Sequence, residues 1–328
     1  MPVLSDSKYT PPRFLGNRHI QTSAPSFFRP TPQIEYVRER LETPDCDFLQ
    51  LDWSMCTPTQ QPKRLAILTH GLEGNTTRPY MKGMAKALNA AGFDVLARNC
   101  RGCGGEPNLR ARSYHSGETD DLHHVVRYAS QMNIWEQIVL VGFSMGGNQT
   151  LKYLGEAPDR IPKELAGAVA ISAPCDLTDS VHALSGSSSG FLYTHYLLRS
   201  LRKKVLIKHE MFPELIQIRG LGCIHSFEHF DNQYTAPLFG FRDAHEYWQK
   251  ASSRPVLKNI SVPTLLLNAR NDPFLGPGCF PVPEAQANNK LTLEMPENGG
   301  HVGFIRIAKD GLFWSELRAV EFLRTACA

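Results

Sequence analysis

Residues 137–148 read Gln137-Ile138-Val139-Leu140-Val141-Gly142-Phe143-Ser144-Met145-Gly146-Gly147-Asn148. Four consecutive apolar residues, Ile138 to Val141, stop at a glycine, a serine follows within the spacing G-x-S-x-G, and a polar–apolar pattern of helical character begins. This is the sequence form of a nucleophile elbow, a sharp strand-to-helix turn that lifts a serine hydroxyl out of a sheet. A turn that tight crowds its neighbours, so Gly142 and Gly146 stand where side chains would clash. The helix behind it aims its first N–H groups back at Ser144, which favours negative charge there. The spacing alone also fits a plain glycine-rich turn. What decides is whether an acid, a base and an oxyanion loop stand just past other strands, in the chain order Ser, then Asp or Glu, then His.

Outward from the elbow, strand and helix patterns alternate. Strands are expected at 65–69, 94–98, 138–141, 168–172, 264–268 and 291–295, with helices at 79–91 (closed by Gly92), 120–132 (capped by Thr119), 147–156 and 313–323. Such alternation is the signature of a parallel sheet with helices on both faces. Two further strands at 34–41 and 47–53, joined by the turn signal Thr43-Pro44-Asp45, read as an antiparallel hairpin at one sheet edge. The predicted fold class is therefore α/β, a mostly parallel eight-stranded sheet flanked by helices. Residues 1–33 are proline-rich and irregular and read as an arm laid over the core, whose segment Gly16-Asn17-Arg18-His19-Ile20-Gln21-Thr22 is notably polar. Within 176–255 the alternation stops and aromatic and basic residues accumulate, among them Phe191, Tyr193, Lys204, Phe230 and Trp248. This reads as a helical cap inserted into a core of 34–175 and 256–328; its aromatics suit both a small core of its own and an apolar face over the site.

The bulk numbers set the class. In 328 residues, 42% hydrophobic and 20% charged content with a net charge of +3 describes a globular chain without the basic excess that nucleic acid demands. No apolar run approaches the length of a membrane span and no secretory signal core stands at the start, so a cytoplasmic location is expected, with contact at a membrane surface left open. The eight cysteines are scattered and are expected to be free thiols. Cys100-Arg101-Gly102-Cys103 has redox or zinc-site spacing but no second pair, and reads as a structural turn.

The remaining parts of a hydrolytic site follow strands of their own. His70-Gly71-Leu72-Glu73-Gly74 directly succeeds the 65–69 strand, the place of the loop that lends one oxyanion-hole N–H; Leu72 and Met145 are the candidate donors. His70 precedes the turn and reads as structural. In Asn271-Asp272-Pro273-Phe274, Asp272 stands past the 264–268 strand, where an orienting carboxylate belongs; Asp176, past the preceding strand, is its rival. His301, in Gly299-Gly300-His301-Val302-Gly303, follows the last strand and completes the order Ser144, Asp272, His301. Two decoys are set aside: His225-Ser226-Phe227-Glu228-His229 matches H-x-x-E-H in a poor helical context, and His115-Ser116 are chain neighbours that point different ways. Gly102-Cys103-Gly104-Gly105 lacks the G-x-G-x-x-G spacing, so the sequence calls for no cofactor and no metal. The expected chemistry is attack by Ser144 on an ester carbonyl, with a small-molecule ester as partner.

Taken together, the motifs Gly16–Thr22, His70–Gly74, Tyr114-His115-Ser116-Gly117-Glu118-Thr119-Asp120-Asp121, Gly142–Asn148, Asn271–Phe274 and Gly300–Phe304 resemble the YheT-like branch of the α/β hydrolases, the AB-hydrolase-4 group, nearly end to end. The resemblance implies a serine esterase or lipase with the triad Ser144, Asp272 and His301. Relatives in that group hydrolyse acylglycerols or phospholipids, and others transfer medium-chain acyl groups to alcohols, so acyl transfer is the alternative reaction.

Overall fold

The computed structural model describes residues 3–4, 7–57 and 63–328. Its centre is a nine-stranded sheet built from β1 (Val3–Leu4), β2 (Val37–Glu42), β3 (Phe48–Ser54), β4 (Arg64–Thr69), β5 (Phe93–Asn99), β6 (Gln137–Phe143), β7 (Leu165–Ile171), β8 (Thr264–Leu267) and β9 (Leu291–Glu294). The strand order is β1-β9-β8-β7-β6-β4-β5-β3-β2, parallel throughout except where the β2–β3 hairpin joins β5 antiparallel. The eight expected strands are all present, and the sheet has one more: β1, two residues of the arm paired parallel with β9 at Val3↔Leu293 and Leu4↔Glu294. Two residues are too few to show a hydrophobic period.

The helices are α1 (Arg18–Phe28), α2 (Pro79–Ala90), α3 (Asp120–Gln131), α4 (Met145–Glu156), α5 (Leu177–Ser185), α6 (Ser188–Met211), α7 (Phe227–Phe230), α8 (Ala236–Phe239), α9 (Ala244–Ala251), α10 (Val282–Ala287) and α11 (Trp314–Ala326). Side chains of β6 divide by parity, as a strand's must. Ile138 and Leu140 join one core with Leu122, Val125 and Leu151 of α3 and α4. Val139, Val141 and Phe143 join the other with Met84 and Leu88 of α2 and Leu323 of α11. Burial on both faces explains why the central strands read as unbroken apolar runs. Between β7 and β8, helices α5 to α9 enclose a third core that includes Leu198, Phe227, Tyr234 and Trp248, and Leu72 and Phe274 pack against it. Among the described residues no helix is long and apolar enough to cross a membrane.

Two local expectations are corrected. The arm is not irregular throughout: residues 18–28 form α1, started by Asn17, whose side chain accepts from the His19 and Ile20 N–H groups, and continuing through Pro25. Asparagine is a strong cap, and the polar composition of this helix hid it. Thr119 occupies the cap position of α3, but its hydroxyl donates to Glu156 instead of capping.

Glu118 performs part of the cap's task, its Oε1 accepting the Asp121 N–H at 2.8 Å, while Oε2 is buried without a partner. Burial, reinforced by the Asp121 charge, pushes this carboxyl up to about 8. The fold then retains a proton that the unfolded chain, with an ordinary value of 4.5, has already released. Stability must therefore fall as pH rises from about 4.5 through about 8. Glu118→Gln, which imitates the protonated acid, is expected to flatten that slope. Thermal unfolding measured at intervals across the window checks it; a wild-type slope that the variant leaves intact would place the proton elsewhere.

Candidate active site

Ser144 sits between β6 and α4 with φ 51° and ψ −119°, a conformation that costs a non-glycine residue on the order of 1–3 kcal/mol. The elbow holds it there by close packing. A Cβ on Gly142 would press on the Gly146 carbonyl, and one on Gly146 would lie 2.5 Å from the Thr69 carbonyl oxygen at the end of β4. The result turns the Ser144 side chain away from the sheet at the carboxyl ends of the strands, half-buried beside the loop that follows β4.

Two other strands deliver its partners to the same rim. His301, in the loop after β9, places Nε2 2.8 Å from Ser144 Oγ. Its Nδ1 lies 2.9 Å from Asp272 Oδ2 and 3.1 Å from Oδ1, in the loop after β8. A carboxylate only accepts, so Nδ1 carries the proton and Nε2 is left as the acceptor facing the serine. Asp272 is 3% exposed, and the Phe274 N–H donates to its Oδ1 at 2.8 Å. The Phe274 ring stacks on the imidazole, with centroids 4.0 Å apart and planes 12° from parallel. Carboxylate, backbone amide and ring together leave the imidazole little room to turn.

Leu72 and Met145 meet in one small cluster with Cys100 and Tyr114. Met145 opens α4, so its N–H belongs to the helix's first turn, whose donors have no intrahelical acceptor. Among the described residues no group accepts from the Leu72 N–H. The loop that carries it is held firmly. Glu73 has φ 54°, its N–H donates to the Tyr114 hydroxyl at 3.0 Å, and its carboxylate pairs with Lys204 of α6 at 2.7 Å. The helices between β7 and β8 are thus fastened to the loop beside the serine. Sequence order could not show this link, because Glu73 and Lys204 lie 131 residues apart.

The other candidates take up different positions. His70 is fully buried and its Nε2 accepts the Cys100 N–H at 3.0 Å, a structural contact. Cys103 N–H donates to the Cys100 carbonyl at 2.9 Å, closing the turn between the two cysteines. Asp176 caps α5, accepting the Asp179 N–H at 3.1 Å. His115 is ringed by Phe239, Phe241 and Tyr247, and burial pushes it down to about 4. His225 and His229 are exposed, and Glu228 faces His245 at 3.4 Å.

A cavity of about 950 Å³ opens over the serine. Its floor includes Leu72, Ser144 and His301, and Leu184, Tyr193 and Leu201 of α5 and α6 supply part of its walls. Helix α1 reaches it too, and the His301 N–H donates to Thr22 Oγ1 at 3.0 Å. No property of the arm's composition pointed to this.

Comparison with known proteins agrees with the geometry. A family model for the alpha/beta hydrolase fold matches residues 67–182. YheT of Escherichia coli (strain K12), a candidate esterase by name, is 34% identical over 98% of this chain and 94% of its own. Human phospholipase ABHD3 is 27% identical over 93% of this chain and 75% of its own. Among solved structures, the Pyrococcus furiosus esterase Pf2001 superposes with a TM-score of 0.57 at 18% identity, covering 96% of this chain and 98% of that one, a likeness of fold. With the elbow, the strand order and a relative this similar along nearly its whole length, the chain belongs to the YheT-like family of the α/β hydrolases.

Proposed function

We propose that this carboxylic ester hydrolase works through an acyl-enzyme on Ser144, with His301 as base and Asp272 as its orienting acid. The observation that carries the proposal is the continuous chain of contacts from Asp272 Oδ2 to His301 Nδ1 at 2.9 Å and from His301 Nε2 to Ser144 Oγ at 2.8 Å. His301 Nε2 takes the serine proton as Oγ bonds to the ester carbonyl carbon. Asp272 stabilises the imidazolium that results. The Leu72 and Met145 N–H groups receive the oxyanion, a contribution worth about 100- to 1000-fold per donor. Collapse of the tetrahedral intermediate expels the alcohol, which takes the proton from His301. Water, activated by the same imidazole, then releases the acid.

The substrates proposed are short- to medium-chain acyl esters or lipid-like esters. In this proposal residues 176–255 act as a cap on a core of 34–175 and 256–328, with 1–33 as an arm packed on it. Three features support this assignment: the cavity's volume, its largely apolar walls, and the exposed Phe27 and Leu192, 76% and 69% accessible, which also line it. Exposed apolar side chains beside a cavity suit transient contact with a lipid surface. Acyl transfer differs only in the last step, where an alcohol replaces water.

Hydrolysis of p-nitrophenyl acetate, butyrate, octanoate and palmitate tests the acyl preference. The optimum is expected beyond acetate, and a preference for acetate over every longer chain would contradict an apolar acyl site. Adding ethanol to the octanoate reaction separates the two outcomes: free octanoate marks hydrolysis, and ethyl octanoate marks transfer.

A further inference from the structure

We infer that Gln21 and Thr22 of helix α1 are positioning residues for the histidine of the triad, a role that rests on the catalytic reading of Ser144, Asp272 and His301. The loop that carries His301 has no regular secondary structure, and four successive backbone amides in it are each held by a side chain. Gly299 N–H donates to Gln21 Oε1 at 2.8 Å, and Gly300 N–H to Asn271 Oδ1 at 2.9 Å. His301 N–H donates to Thr22 Oγ1 at 3.0 Å, and Val302 N–H to Ser172 Oγ at 2.9 Å. Two of the four acceptors come from the arm.

Gln21 does more than hold one amide. Its Oε1 also accepts from Asn271 Nδ2 at 3.0 Å, so a single oxygen ties the loop before Asp272 to the loop before His301. Its Nε2 donates to the Leu15 carbonyl at 2.6 Å, and the residue is wholly buried. A polar side chain carried into the interior with all these partners satisfied sets one arrangement of its neighbours and penalises others. Thr22 Oγ1 is fixed in turn, donating to the Arg18 carbonyl at 2.8 Å.

The approach of α1 also accounts for the glycines around His301. A Cβ on Gly300 would stand 2.8 Å from Gln21 Cβ and from the Thr22 nitrogen, and one on Gly303 would press on the Gln21 carbonyl. Gly300 has φ 59°, a conformation that glycine adopts without strain. The polar run Gly16–Thr22 and the glycine-rich run Gly299–Gly303 are therefore two halves of one joint. The arm sets where the imidazole stands relative to Ser144.

Thr22→Val keeps the shape and loses the acceptor; Thr22→Ser keeps the acceptor. Both are made in the full chain and assayed for kcat, KM, melting temperature and rate of inactivation by a fluorophosphonate. A small misplacement of a catalytic group costs up to about 100-fold in rate, so Thr22→Val is expected to lower kcat by roughly 10- to 100-fold with KM within about twofold. The inactivation rate should fall by the same factor, and Thr22→Ser should restore both. Gln21→Met, which keeps the side chain's length and loses the Oε1 acceptor, should lower kcat in the same direction, and kcat within about twofold of wild type would remove Gln21 from the positioning role. Thr22→Val with kcat within about twofold of wild type, a loss confined to KM, or a Thr22→Ser variant as impaired as Thr22→Val would overturn the positioning role while leaving the triad standing. A wild-type protein that the probe does not label at Ser144 would overturn the triad and the positioning role together.

Discussion

Ser144→Ala is expected to lower kcat on ester substrates by on the order of a millionfold, with little change in melting temperature. The hydroxyl is the proposed nucleophile, and its hydrogen bond joins it to His301 Nε2 at 2.8 Å. Removing it takes away the covalent route and leaves binding and the oxyanion donors to act on water, a residual effect of about 1,000- to 10,000-fold over the uncatalysed reaction. Folding should be nearly indifferent, for two reasons. Alanine and serine are about equally strained at φ 51°, and Ser144 is half-buried, so no polar partner is left stranded in the interior. Steady-state assays alongside thermal melts check both halves. Retention of more than about 1% of kcat would mean that another group attacks the ester.

Asp272→Asn is expected to cost kcat about 10,000-fold. The change is nearly isosteric, and the amide oxygen can still accept from the Phe274 N–H, so the loop should keep its form. What changes is the group facing His301 Nδ1. An amide nitrogen donates, so the imidazole must present an unprotonated Nδ1 to it and carry its proton on Nε2, where it can no longer take one from Ser144. Asp272 is 3% exposed, leaving no easy path for water to substitute for the carboxylate. KM should move much less than kcat, because Asp272 contacts the base and not the cavity floor. A loss of under about tenfold would point to another acid, with Asp176 the first to examine. Asp176 instead caps α5 and lies 3.8 Å from Arg254.

Ser144, Asp272 and His301 were legible because each follows a hydrophobic run long enough to be read as a strand, and a parallel sheet brings all such strand ends to one rim. The glycines at 142 and 146 were equally informative, since their need follows from local sterics alone. Errors at element ends have a similar local origin. The helix expected at 147–156 begins two residues earlier, at Met145, where Gly146 lets the first turn pack closely against the end of β4 despite glycine's poor propensity.

The remainder was illegible because it resides in contacts between distant segments. Thr22 and His301 are 279 residues apart, and Glu73 and Lys204 are 131. A threonine on a polar helix and a lysine in the middle of a long one carry no mark of the loops they will hold. The insert's aromatics suited two readings, and the structure contains features of both: Trp248 and Phe230 pack in a core with Tyr234 and also line the cavity.

The most direct measurement is a crystal structure of the protein inactivated by a phosphonate ester. The phosphorus should be bonded to Ser144 Oγ, with the phosphoryl oxygen within hydrogen-bond reach of the Leu72 and Met145 N–H groups and His301 Nε2 facing the former leaving group. An adduct on any other residue, or a Ser144 adduct whose phosphoryl oxygen points away from both amides, would contradict the proposed site.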